Sequence, residues 1–148
     1  MSKMDDEVLK EIESYYNKEN LIALATADGD QPCVRVVTLI SLDDGLFVIT
    51  GARGGANTAK VRQIKENPNV AFVLQIQKEG KIGNIRGEGT ASIIDDPELK
   101  TQIFKEIKWT ESYFKSPEDP SYVLLGINVR SYQYSIPGTG RRVMVSVS

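Results

Sequence analysis

Residues 21–41 read LIALATADGDQPCVRVVTLIS. Leu21 to Ala27 are a short apolar run, and Asp28-Gly29-Asp30 interrupts it. Asp-Gly tolerates the positive φ that a tight hairpin turn requires. Pro32 then opens a second run, from Cys33 to about Ser41. The stretch predicts two neighbouring antiparallel strands. The second strand has apolar residues at both parities, so both of its faces are expected to be covered. Arg35 is the exception, a charge inside an apolar strand. A buried arginine is rare unless an anion meets it. A ligand or ion-pair role is therefore predicted for Arg35, the alternative being an edge-strand side chain that snorkels to water. Cys33 reads as a small core or edge residue, since nothing near it would activate a thiolate.

Outward from this hairpin the punctuation repeats. Asp43-Asp44-Gly45 predicts another turn, and Leu46 to Thr50 a third strand. The chain then enters a glycine-rich stretch, GARGGANTAKVRQIKENP, from Gly51 to Pro68. Asn57 or Thr58 can cap a short helix whose apolar side is Val61 and Ile64, and Asn67-Pro68 stops it. A helix N-terminus offers free N–H groups and partial positive charge, and Arg53, Thr58 and Lys60 stand at the same end. The residues read either as a phosphate site or as an ordinary loop-to-helix junction with solvated basic side chains. Neither the nucleotide P-loop pattern nor the dinucleotide fingerprint is present.

Val70 to Ile76 predict a fourth strand, and Lys78-Glu79-Gly80-Lys81 a turn. A longer fifth strand runs from about Lys81 to Ile94, interrupted by Gly83, Gly87 and Gly89, which suggests a bend, a bulge or close approach of another backbone. Asn84 and Arg86 are the polar residues of that bend. Asp96-Pro97-Glu98 starts a helix with Leu99, Ile103, Phe104 and Ile107 on its buried side. A loop with Trp109, Tyr113 and Phe114 follows, read as anchored into the core. Tyr122 to Ser135 predict a sixth strand. The tail, residues 136–148, reads either as a flexible end or as an arm that reaches a partner. At the other end, Met4 to Asn17 predict a helix with Val8, Leu9, Ile12, Tyr15 and Tyr16 on one stripe, packed against the body of the protein.

The bulk numbers narrow the function. The 148 residues suit one domain, and the net charge of −2 argues against a nucleic-acid binder. Aromatics lie in predicted helices and loops rather than on a strand face beside a basic groove, against a single-strand binder. No apolar run approaches a membrane span and the polar, acidic start is no secretory signal, so a cytoplasmic protein is expected. One cysteine excludes an internal disulfide. The chain contains no histidine, the commonest general base and metal ligand. Chemistry here would rest on a cofactor's reactive group. Six strands joined by tight turns, with helices in the gaps, predict a mainly β fold: a six-stranded antiparallel split β-barrel with flanking helices.

Four segments then resemble one family. LATADGDQPCVRVVTLI resembles the opening hairpin, with its Pro…Arg-x-Val second strand, of the FMN-binding split-barrel family typified by pyridoxamine 5′-phosphate oxidase. Thr50 ends the third strand as in that family. NTAKVRQIKENPNVAFVL is similar to its helix and following strand, and GEGTASII to its Gly-x-Ala segment. The resemblance implies FMN as cofactor. Arg35 and Lys60 would hold its phosphate, with Thr58 donating a hydroxyl. Val36, Val37 and Thr38 would run beside the isoalloxazine ring and meet its polar edge with backbone groups. Thr50 and Gly51 would contact the phosphate and ribityl side, and Asn84 would approach the flavin. It implies a homodimer with flavin at the interface, and a redox enzyme acting on a small-molecule substrate or electron donor. A non-catalytic flavin carrier or sensor, or a deazaflavin-binding relative, is the alternative. The chain departs from the oxidase at Ile40, where that enzyme carries a lysine. It also lacks a counterpart of the oxidase's C-terminal Arg, His and Asp substrate segment, so the resemblance implies the cofactor and not that substrate.

Overall fold

The computed structural model describes residues 2–51 and 59–147, with residues 51, 59 and 60 described for the backbone alone. In order the elements are α1 (Lys3–Glu13), β1 (Glu19–Asp28), β2 (Gln31–Leu42), β3 (Gly45–Gly51), α2 (Ala59–Glu66), β4 (Asn69–Lys78) and β5 (Lys81–Ile93). Then follow α3 (Pro97–Glu106), the single turn α4 (Thr110–Tyr113), β6 (Tyr122–Ser135) and β7 (Arg142–Ser146). Every strand pairing is antiparallel, in the order β3-β2-β1-β4-β5-β6-β7, and β3 also pairs with β6. Six strands thus form a ring, as the alternation predicts, with β7 added outside it.

Local chemistry fixes the hairpins. β1 and β2 pair in unbroken register from Glu19↔Ile40 to Asp28↔Gln31, turned by Gly29 at φ 58°. The β2–β3 turn places Asp43 and Asp44 at φ 49° and 65°, the left-handed conformation that short polar side chains tolerate. β5 is bulged between Glu88 and Gly89, and a Cβ on Gly89 would lie 1.9 Å from the Asn128 carbonyl oxygen. That is the close backbone approach predicted for this glycine.

The ring interior is packed with Ile22, Leu24, Leu39, Val48, Phe72, Leu74, Ile85 and Leu125. Each fully buried side chain of this size contributes roughly 1.5–3 kcal/mol. A second cluster lies outside the ring, where α3 covers β2, β3 and β6: Ile40, Phe47 and Leu124 meet Ile103, Phe104 and Ile107. Asp96 caps α3 by accepting the Glu98 N–H at 3.0 Å, with Pro97 in its first turn. The following loop is anchored by Phe114 in this cluster and by Trp109, whose indole donates to Glu19 Oε1 at 2.6 Å.

Three expectations change. First, α1 ends at Glu13 rather than Asn17. Tyr15 and Tyr16 continue in turns that aim their hydroxyls at β6, where Tyr16 pairs with Tyr132 at 3.0 Å and Tyr134 donates to Tyr15 at 3.3 Å. Second, the tail is not loose: β7 pairs with β6 from Ser131↔Ser146 to Ser135↔Arg142, using the part of β6 that extends past β3. Third, β2 is covered on both faces only in its C-terminal half. Leu39 and Ile40 are fully buried, whereas Val34 and Val36 are 72% and 67% exposed.

Candidate cofactor site

The ring is split beside β2. β3 pairs with β2 only over Leu39–Leu42, while its other edge pairs with β6 from Leu46↔Ile127 to Gly51↔Tyr122. Before Leu39, β2 has a ladder partner on the β1 side alone among the described residues. The Ser41 N–H donates to the Lys18 carbonyl at 3.0 Å, so odd-numbered β2 residues direct their backbone groups to β1. Val34, Val36 and Thr38 therefore direct theirs into the split. A strand edge of this kind is a row of donors and acceptors in want of partners.

Arg35 stands on the inner face at this split, opposite Leu24. Its guanidinium donates from Nη1 to Thr26 Oγ1 at 3.0 Å and from Nη2 to Gln63 Oε1 at 3.4 Å. The Thr26 hydroxyl in turn donates to Gln63 Oε1 at 2.9 Å. Thr26 and Gln63 are buried. Gln63 is placed by α2, whose Val61 and Ile64 are packed into the core. All the partners of Arg35 found here are neutral. The ion pairs among the described residues are Lys18–Glu106 and Arg86–Glu88, both away from this cluster. A half-buried guanidinium with five N–H donors and, among the described residues, no carboxylate paired with it has donors free for water or an anion.

The predicted residues separate as follows. Arg35 sits at the split, with the backbone of Val36 and Thr38 on its free edge. The Val37 side chain turns inward onto the core, while Val36 turns outward. Thr50 is buried on β3 beyond the point where that strand leaves β2, and Gly51 follows it opposite Tyr122. Lys60 lies in the first turn of α2, the helix that brings Gln63 to Arg35. Thr58 and the glycine loop from 52 lie outside the described residues. Asn84 is not gathered with the others: it is paired with Gln75 and Ser135 on β5, three strands round the ring from β2. At the usual strand spacing that is on the order of 14 Å. Thr26 and Gln63 are the residues the sequence reading passes over. Thr26 shares the parity of Ile22 and Leu24, and that signal alone would have placed it inside.

The shifted titrations lie elsewhere. Burial pushes the hydroxyls of Tyr16, Tyr132 and Tyr134 up, and that of Tyr122 up to about 12. Among the described residues no cluster of metal-ligating side chains is present, and no helix is long and apolar enough to cross a membrane.

An antiparallel six-stranded ring opened along one strand edge is a split barrel. The chain belongs to the pyridoxamine 5′-phosphate oxidase family, whose model matches residues 8–135. General Stress Protein 26 from Bacillus anthracis str. Sterne is 26% identical, superposes with a TM-score of 0.75, and covers 95% of this chain and 99% of its own. A putative pyridoxamine 5′-phosphate oxidase from Listeria innocua shares the fold at 21% identity and TM-score 0.67, covering 89% of this chain and 98% of its own. A heme binding protein from Mycobacterium smegmatis shares it at 14% identity and TM-score 0.69, covering 87% of this chain and 53% of its own. Comparison with curated proteins gives no match.

Proposed function

We propose that this protein binds FMN at the split and works as a flavin-dependent oxidoreductase on a small molecule. The observation that carries the reading is Arg35, a half-buried cation held by neutral partners beside an unpaired strand edge. Arg35 would neutralise the phosphate, with Lys60 and the Thr58 hydroxyl as further donors. Thr26 and Gln63 hold the guanidinium in place, so little side-chain entropy is lost when an anion arrives. The edge groups of Val36 and Thr38 match the alternating donors and acceptors along the ring of a flavin. When bound, FMN supplies hydride or single-electron transfer. The chain's own part is to bind, orient and shield it.

The exposed apolar face of Leu21, Val34, Val36 and Val73 adjoins the same edge. A contiguous patch of this kind marks an interaction surface. We assign it to a second copy, giving a homodimer with the cofactor at the interface. Asn84 would then reach a flavin only across that interface. Haem suits the site less well: the chain has no histidine to ligate it.

The test is the absorption spectrum of purified protein before and after adding FMN and removing the excess. A retained flavin spectrum is expected. Arg35→Ala is expected to weaken FMN binding by about 10- to 100-fold, the loss of one charge-assisted contact. Riboflavin, which has no phosphate, should lose less than threefold. Equal losses for both ligands would refute the phosphate role of Arg35, and a protein that never retains FMN would refute the cofactor.

A further inference from the structure

A cavity among the described residues lies away from the split. It occupies about 490 Å³ between α1, the β2–β3 turn and the point where β6 exchanges β3 for β7. Ser41 marks its β2 end, six residues beyond Arg35, on the order of 20 Å along a strand. A volume of this size is that of a small-molecule site.

Its apolar walls are Leu9, Leu46, Ile127, Val129 and Val147, Ser41 and Asn128 add neutral polar groups, and its charged groups are Glu13 and Asp44. Among the described residues no basic side chain lines it. The neighbouring Asp43 is engaged, accepting from Gln102 Nε2 at 2.8 Å, whereas the side-chain carboxylates of Asp44 and Glu13 have no hydrogen-bond or ion-pair partner among the described residues. The Tyr16 ring and hydroxyl complete the polar side, held by the bond to Tyr132. Apolar walls, two unpaired carboxylates and a tyrosine ring together select against anions. They favour an ammonium, which gains from both carboxylates and from the π-face.

We propose that this cleft binds a small primary or secondary ammonium carrying an aliphatic or aryl body, at a site separate from the flavin split. The ammonium nitrogen sits between Glu13, Asp44 and Tyr16, and the body lies against Leu9, Leu46 and Val129. Two partly exposed ion pairs and one cation–π contact amount to about tenfold in affinity over a neutral isostere.

The experiment is a two-dimensional NMR titration of the full chain with phenethylammonium, 2-phenylethanol and phenylacetate. Saturable shifts at Leu9, Leu46 and Val129 are expected, with the ammonium about tenfold tighter than the alcohol and the carboxylate not bound. The double variant Glu13→Gln, Asp44→Asn should bind ammonium and alcohol alike, while its FMN retention stays that of the unaltered protein. The proposal is overturned by equal affinities in the unaltered protein, by ammonium shifts elsewhere, or by an ammonium preference that survives the double variant. Protection of these residues by self-association would likewise overturn it, because a second copy would then fill the cleft. Loss of FMN binding alone would refute the flavin reading and leave this one standing.

Discussion

The two halves of β2 face opposite fates. From Leu39 to Leu42 the strand pairs with β3, with β1 still beside it at Leu39 and Ile40, and those two side chains pack on opposite faces, inside the ring and under α3. From Gln31 to Thr38 it has, among the described residues, one neighbouring strand, an apolar face in the open, and a guanidinium without a counter-charge. The first half is finished structure. Apolar residues occur in both halves of β2, Cys33, Val34, Val36 and Val37 in one and Leu39, Ile40 and Leu42 in the other, so their burial depends also on where β3 leaves and where α3 arrives.

This contrast can be broken by substitution. Leu39→Ala removes a fully buried side chain from the finished half and is expected to cost about 2–5 kcal/mol in chemical denaturation. Val36→Ala in the open half should cost less than about 0.5 kcal/mol at concentrations where the chain is monomeric. Comparable losses would mean that the open half is covered within its own chain. Val36→Asp sharpens the point. If the face joins two copies, a desolvated carboxylate at its centre should turn dimer into monomer in sedimentation, and an unchanged sedimentation coefficient would remove the interface assignment.

Titration offers a third comparison, between buried tyrosines and surface acids. Tyr122 is raised by burial from 10.0 to about 12, and Tyr16, Tyr132 and Tyr134 are raised too. A group that holds its proton more tightly when folded contributes stability in full below its unfolded value. That contribution fades as pH rises through the folded value. Denaturation midpoints should therefore hold up to about pH 10 and fall steeply between 10 and 12, in step with tyrosinate absorbance. The smallest effect expected is at Asp119. Its carboxyl is held low by hydrogen bonds from the Lys115 and Ser121 backbone and the Ser121 hydroxyl. That stability is present above the ordinary aspartate value and lost as pH falls through the lower, folded one. Asp119→Asn should flatten the acid limb of the stability curve slightly and leave its alkaline limb unchanged.

Much of the ring was legible because its signals are local. Asp28-Gly29, Asp43-Asp44 and Glu79-Gly80 are turn chemistry that needs no tertiary context, and the glycines of β5 pointed to a bend, a bulge or a close approach, of which the bulge falls at Glu88 and Gly89. The misreadings have a common physical cause. Tyr15 and Tyr16 continue the helical stripe, yet their hydroxyls find better partners on β6 than another turn would give. β7 is five residues whose strand state depends on the overhang of β6. Val34 and Val36 look like core because hydrophobicity alone does not say whether another element of the chain will cover them. Arg35 stood out as a charge among apolar residues, while its holders Thr26 and Gln63, neutral and ordinary, did not.

The closure of β3 on β6 has a consequence for how the molecule is made. The β1–β2 and β4–β5 hairpins join residues close in sequence and can form as the chain leaves the ribosome. Thr50 must wait for Val123. Until then β3 presents a bare outer edge, and contacts so distant are slow to form. Synthesis that stalls before Tyr122 would leave a sheet with two open ends, the species most prone to pair with its neighbours.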